Sequence, residues 1–278
     1  MVLELPPELQ KYFGREKAFD TILSLKGKVF REQKNRRTLF FEKDGKGYFV
    51  KIHRGVGWKE ILKNLFSLRL PIFGVRNEMR AIRRLEDLGV DTLKMVGFGI
   101  RGIAPAWLDS FIITEALENT LSLEDFCRTW PSDPPDFSLK LSIVKKVAEI
   151  ARRLHQNGVN HRDFYICHSL LDLTTLNLKD ISQGLRIYII DLHRVQIRNK
   201  TPKRWIIKDL AGLFFSSMDI GLTQRDLFRF MREYRGKTLR DILKEEASFW
   251  MAVNKRATKL YKKHFCRLPD IYVRIFQA

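Results

Sequence analysis

A chain of 278 residues, 45% hydrophobic and 30% charged, can bury a core of one large domain or two lobes and is too apolar to be disordered. Its 51 Lys+Arg against 32 Asp+Glu leave a net charge of +19, which implies a polyanionic target: nucleic acid, an anionic membrane surface, a phosphorylated glycan or an acidic protein. No finger, homeodomain or ribonucleoprotein signature supports nucleic acid, and Cys127, Cys167 and Cys266 make neither a metal-site pattern nor a disulfide framework, which suits a reducing compartment.

At the N-terminus, Glu4, Pro6, Pro7 and Glu8 do not make a basic leader, and no run is long and apolar enough to span a bilayer, so the chain is expected in the cytoplasm. Val29-Phe30-Arg31 reads as a strand and Gln33 to Thr38 as a loop. That loop lacks the glycines of a phosphate-covering G-x-G-x-x-G, and Arg36 and Arg37 are either a source of charge in their place or two solvated side chains. A hairpin follows: Leu39-Phe40-Phe41 leads through Asp44-Gly45 to Tyr48-Phe49-Val50-Lys51-Ile52. Trp58, Ile61, Leu62, Leu65 and Phe66 fall on one face of a basic amphipathic helix, to be packed on its own domain or laid on a membrane surface. After Pro71 and Gly74, Val75, Met79, Ile82 and Leu85 give a second helix that ends before Gly89 and carries Glu78 near its start.

Leu93–Val96 and Phe111–Thr114 read as further strands, with Glu115-Ala116-Leu117 as a hinge whose backbone is free to hydrogen-bond an adenine. Ser122 caps a short helix. Leu141, Val144, Val147, Ala151 and Leu154 define the strongest helix, stopped by Gly158. Asn160-His161-Arg162-Asp163 comes next, and Leu185, Ile187 and Ile189 alternate into Asp191. There is no internal repeat.

Lys51, Glu78, Asp163 and Asp191 are the four residue types of a phosphotransferase, in the order such an enzyme needs them. They are a lysine for the nucleotide phosphates, a glutamate to position it, an aspartate at the acceptor hydroxyl and an aspartate on Mg²⁺. His168 stands five residues after Asp163, where protein kinases place a metal-binding asparagine. Imidazole suits Mg²⁺ poorly, so His168 is a candidate for a second metal, for action through water or for bracing the loop. His161 is read as structural and Cys167 as a packed small side chain. The stretch from Asp191 to Asp209 is too short for a switchable activation loop and has no A-P-E, which favours a small-molecule or glycan acceptor. Arg194, Arg198, Lys200, Lys203, Arg204 and Lys208 then offer charge to an anionic acceptor, and Lys255, Arg256, Lys259, Lys262, Lys263 and Arg267 a second basic face for an acidic partner or membrane.

The runs His161-Arg162-Asp163-Phe164-Tyr165-Ile166-Cys167-His168 and Ile190-Asp191-Leu192-His193-Arg194 resemble those of the lipopolysaccharide core heptose(I) kinases of Gram-negative bacteria. Tyr48 to Gly55, Phe111 to Glu115, Lys208 to Leu213 and Ser216 to Asp226 extend the likeness over most of the chain. The resemblance implies an α+β, protein-kinase-like two-lobed fold, with an antiparallel-sheet N-lobe over residues 1–117 and a mainly helical C-lobe over 118–278. It implies ATP- and Mg²⁺-dependent transfer to O4 of the first inner-core heptose. Asp163 would be the catalytic base, Lys51, Glu78, Glu115 and Leu117 would bind ATP, and Asp191, with His168, would bind metal. The implied partners are an inner-core glycolipid acceptor, acyl carrier protein and the anionic cytoplasmic face of the inner membrane. Kdo kinases and tyrosine kinases share the scaffold, and a non-catalytic scaffold for an acidic partner is the remaining alternative; retention of all four key residues argues against it.

Overall fold

The computed structural model describes residues 1–33, 35–55, 74–177 and 184–269. The expected amphipathic helix from Trp58 to Phe66 lies outside the described residues. The chain divides into two compact units, one of Met1–Arg84 with Leu93–Glu118, the other of Leu85–Thr92 with Asn119–Ala278.

The first unit is built on a six-stranded antiparallel sheet of order β1-β5-β6-β4-β3-β2. Its strands are β1 (Val2–Glu4), β2 (Lys28–Gln33), β3 (Arg36–Lys43), β4 (Lys46–His53), β5 (Met95–Arg101) and β6 (Asp109–Glu115). Asp44 and Gly45, at φ 52° and 73°, close the β3–β4 hairpin in two left-handed residues, as the Asp-Gly pair foretells. Leu39, Val50, Ile52, Phe111 and Ile113 point to one face and pack with Leu9, Phe19 and Ile22 of two short helices, Pro7–Tyr12 and Ala18–Leu23.

Two sequence expectations need correction here. Arg36 and Arg37 are not in a loop but on β3, where Arg37 pairs with Glu32 directly opposite on β2 at 3.4 Å. A cross-strand charge pair of this kind extends the ladder further than turn chemistry alone suggests. The strand expected at Leu93–Val96 begins only at Met95 and continues through Gly97 and Gly99. Glycines usually weaken a strand, but a Cβ at 97 would lie 2.6 Å from the Glu4 carbonyl oxygen and one at 99 would lie 2.4 Å from the Phe111 ring, so only glycine lets β1 and the core approach.

The second unit is mainly helical. Its long helices are Phe137–Gln156, Lys203–Ser216, Gln224–Arg235 and Ala247–Phe265. Three short strands, β7 (Thr120–Ser122), β9 (Ser169–Asp172) and β10 (Ile187–Ile189), make one small sheet, and β8 (Val159–Asn160) pairs with β11 (Gln196–Ile197). The Ser122 hydroxyl accepts from the Asp125 amide and caps Leu123–Phe126. Gly158, at φ 78°, ends the Phe137–Gln156 helix, and a Cβ there would lie 1.6 Å from the Arg198 carbonyl oxygen. Inside this unit an apolar cavity, partly open to solvent, is lined by Cys127, Trp130, Val147, Ile166, Leu213 and Trp250 among others. Burial there pushes the Cys127 thiol up to about 12. No helix among the described residues is long and apolar enough to cross a membrane.

Candidate active site

In the first unit, β4 delivers Lys51 and the helix Arg76–Asp87 delivers Glu78. The Lys51 ammonium lies 2.5 Å from Glu78 Oε1, and Glu78 is 1% exposed. A surface pairing of Glu78 with its own helix is thereby excluded. A buried carboxylate must be matched by a cation, so Glu78 fixes the lysine where its second side, a quarter exposed, stays open to a ligand. The hinge expectation is corrected in part. The Glu115 amide donates to the Lys94 carbonyl at 3.0 Å and the Ala116 amide to that of Gly47 at 2.9 Å, so neither is free to read an adenine. The Glu115 carboxylate pairs with Lys94 at 2.8 Å. The sheet ladder, which runs one residue beyond the expected end at Thr114, takes these amides.

In the second unit the catalytic-loop residues converge. Asp163 follows β8 and receives Arg194 Nη1 at 3.0 and 2.9 Å from its two oxygens. Arg194 closes the short turn Leu192–Arg194 that begins at Asp191. Asp191 itself is left-handed, at φ 60° and ψ 48°, with Oδ1 2.6 Å from His193 Nδ1 and Oδ2 3.6 Å from His168 Nε2. His168 Nδ1 donates to the Asp163 carbonyl at 2.8 Å. Burial opposes a charge on His168, but hydrogen bonds to Cys167 and the Asp163 carbonyl, with Asp191 nearby, prevail and push it up to about 9. His168 thus joins the two aspartates, through Nδ1 to the Asp163 carbonyl and with Nε2 facing Asp191 Oδ2.

Metal binding has to be judged from the donors present. Among the described residues no group of three or more His, Cys, Asp or Glu side chains could hold an ion alone. Mg²⁺ commonly uses one or two carboxylates and takes its other ligands from phosphates and water, so the Asp191 carboxylate fits that ion in company with a nucleotide.

Asp209 is the residue that sequence reasoning missed. It is 1% exposed on the Lys203–Ser216 helix and accepts from the amides of His161 at 2.6 Å and Arg162 at 2.8 Å, with His155 Nε2 at 3.4 Å. It thereby holds Arg162 at φ 74°, a conformation a side chain-bearing residue adopts only at a cost of about 1–3 kcal/mol. The available signal was a single acid set before the apolar run Leu210-Ala211-Gly212-Leu213. His161 is buried, its pKa lowered by burial against the opposing charge of Asp209, and Nε2 donates to the Ile190 carbonyl at 2.9 Å, which ties the catalytic loop to the Asp191 strand.

The acceptor candidates separate. Arg198 bonds Asn160 Oδ1 and Gln196 Oε1, each at 2.7 Å, and with Arg204 lies against the Trp205 ring. Lys203 points elsewhere, over Phe249 at 5.9 Å. A strand lysine paired with a helix glutamate, and a braced aspartate loop followed by a second aspartate, define a kinase-like phosphotransferase. The lipopolysaccharide kinase (Kdo/WaaP) family model matches residues 20–234, and the chain belongs to that family. It is 48% identical to the lipopolysaccharide core heptose(I) kinase WaaP of Escherichia coli over 94% of this chain and 98% of that protein. To the WaaP heptose(I) kinase of Pseudomonas aeruginosa it is likewise 48% identical, over 95% and 96%. A solved structure, WaaP in complex with acyl carrier protein, superposes with a TM-score of 0.79 at 43% identity, covering 94% of this chain and all of the other.

Proposed function

We propose that this kinase phosphorylates O4 of the first heptose of the lipopolysaccharide inner core, with ATP as donor and Mg²⁺ as cofactor. The observation that carries the reading is Asp163, a carboxylate 16% exposed on a loop braced from below by Asp209 and flanked by Asp191, in a chain so similar to heptose(I) kinases. Asp163 accepts or orients the proton of the attacking hydroxyl, and Arg194 keeps its carboxylate aimed. Lys51, fixed by Glu78, takes the nucleotide phosphates, and Glu115 and Leu117, at the end of β6 and just beyond it, are where the adenine is expected. Asp191 holds Mg²⁺, which when bound neutralises charge on the transferring phosphate. His168 serves as the orienting bridge between the Asp163 loop and Asp191, in preference to a role as metal ligand.

The test is phosphate transfer from ATP to unphosphorylated inner-core lipopolysaccharide, with product analysis to locate the new phosphate. General-base help is worth about 10²–10⁴-fold, so Asp163→Ala should lose transfer by at least about a hundredfold and still bind ATP. Transfer to Kdo would keep the chemistry and change the sugar; full activity in the variant would overturn the assignment.

Two further features favour acyl carrier protein as partner. One is the apolar cavity, whose lining of Val, Ile, Leu and Trp side chains suits an acyl chain. The other is the exposed basic face of Lys255, Arg256, Lys259, Lys262 and Lys263, which suits a small acidic protein or the anionic inner membrane surface at which the glycolipid acceptor is made.

A further inference from the structure

Four cations stand around one indole in the second unit. Arg162, Arg198, Arg204 and Lys208 place their charged groups 5.2, 6.0, 5.5 and 5.5 Å from the centre of the Trp205 ring. Among the described residues none of the four has a carboxylate within 4.0 Å. A cation gains from an aromatic face, but the ring has only two faces and the charges repel one another. Burial, and then the neighbouring arginines, hold both Arg162 and Lys208 below their ordinary values. Trp205 Nε1 and Arg162 Nε are buried polar atoms with no partner. The Lys203–Ser216 helix begins at this point with no side-chain cap, so its positive end adds to the same field. Such a concentration of charge, with two buried donors left without a partner, is costly in an empty fold and is explained by a bound anion.

We propose that Trp205 and these four cations form a subsite for an anionic substituent, carboxylate or phosphate, on the acceptor beside the sugar being phosphorylated. The place follows from connectivity: Arg162 precedes Asp163, and Arg194, which holds the Asp163 carboxylate, also bears electrostatically on Arg162 and Lys208. The indole supplies a flat wall for a sugar ring, and the guanidinium forks supply paired donors for the anion. The inference rests on the heptose kinase reading and adds to it which part of the acceptor is recognised: a neighbouring sugar acid, or a phosphate of the lipid anchor.

Three acceptors separate the cases: native unphosphorylated inner-core glycolipid, the same with its sugar-acid carboxyls reduced to alcohols, and the same with its lipid phosphates removed. Wild type should favour the native acceptor over one of the two altered ones by about tenfold or more in kcat/KM, carried mostly by KM, as expected for losing a charge-assisted contact. In Arg204→Gln and Lys208→Gln that ratio should fall towards one, and Lys208→Arg should restore it. Because neutralising Lys208 relieves repulsion, Lys208→Gln should melt at or above the wild-type temperature, which a merely structural lysine would not do. Should Lys208→Gln fail to fold, the subsite stands or falls on Arg204→Gln, whose side chain is exposed. Equal kcat/KM for all three acceptors in wild type, or the same ratio in wild type and variants, overturns the subsite and leaves the kinase reading intact. No transfer to any acceptor overturns the heptose reading and the subsite with it.

Discussion

Asp209 and His168 both act on the catalytic loop through its backbone, and each makes a separate forecast. Asp209→Ala leaves the buried amides of His161 and Arg162 without an acceptor. At about 1–3 kcal/mol for each unsatisfied group, the loss should be roughly 3 kcal/mol in urea unfolding, with transfer abolished. Asp209→Asn keeps one carbonyl oxygen and should lose less of both. His168 is raised in the folded chain from 6.5 to about 9, so its contribution to stability is complete below about pH 6.5 and disappears as pH rises through about 9. By linkage this amounts to roughly 3 kcal/mol across that window. His168→Asn should flatten the slope of unfolding free energy against pH between those limits; parallel curves would show that the imidazolium has no such role. The residues legible in the sequence, Lys51, Glu78, Asp163 and Asp191, are those whose proposed roles lie in the chemistry of their own side chains. Asp209 escaped because its carboxylate faces peptide groups, which no motif spacing reveals, whereas bracing of the loop by His168 was among the roles its position suggested.

Elements were readable where local chemistry decided them and misread where partners did. The Asp44-Gly45 hairpin, the Ser122 cap and the Gly158 stop are each fixed within a few residues, and each forms where expected. The first strand, Val2–Glu4, has no signal of its own; its place comes from pairing with β5, whose glycines admit it. The same reasoning yields a test at Gly158. Its amino acid must be left-handed and must leave room for the Arg198 carbonyl, while its own carbonyl accepts from the Arg198 amide at 2.9 Å. Gly158→Ala should therefore cost well over about 1 kcal/mol, and, because β8 and β11 meet here ahead of Asp163, it should depress transfer as well as melting temperature.

At the scale of the molecule, the second unit gathers positive charge at two places, around Trp205 and along the Ala247–Phe265 helix. Lys255, Lys259, Lys262 and Lys263 recur at helical spacing and are all exposed. Reversing Lys255, Lys259 and Lys262 to Glu should weaken binding to an acidic carrier protein or to anionic vesicles by about tenfold or more and make that binding less sensitive to salt. Retained affinity with an unchanged salt dependence would move the docking surface elsewhere.

The β3–β4 hairpin also sets an order in time. Its two eight-residue strands are joined by the two-residue turn at Asp44-Gly45, so the entropy of closing it is small and it can form within about 1–10 μs. Glu78 lies 27 residues beyond Lys51, on a helix that must search for its seat. We predict that Lys51 is in place and hydrated before its partner arrives, so that the helix sheds the water around Glu78 in the step that delivers it to the cation. Valine at position 45, which would disfavour the turn, should accordingly slow refolding of this unit far more than it speeds unfolding.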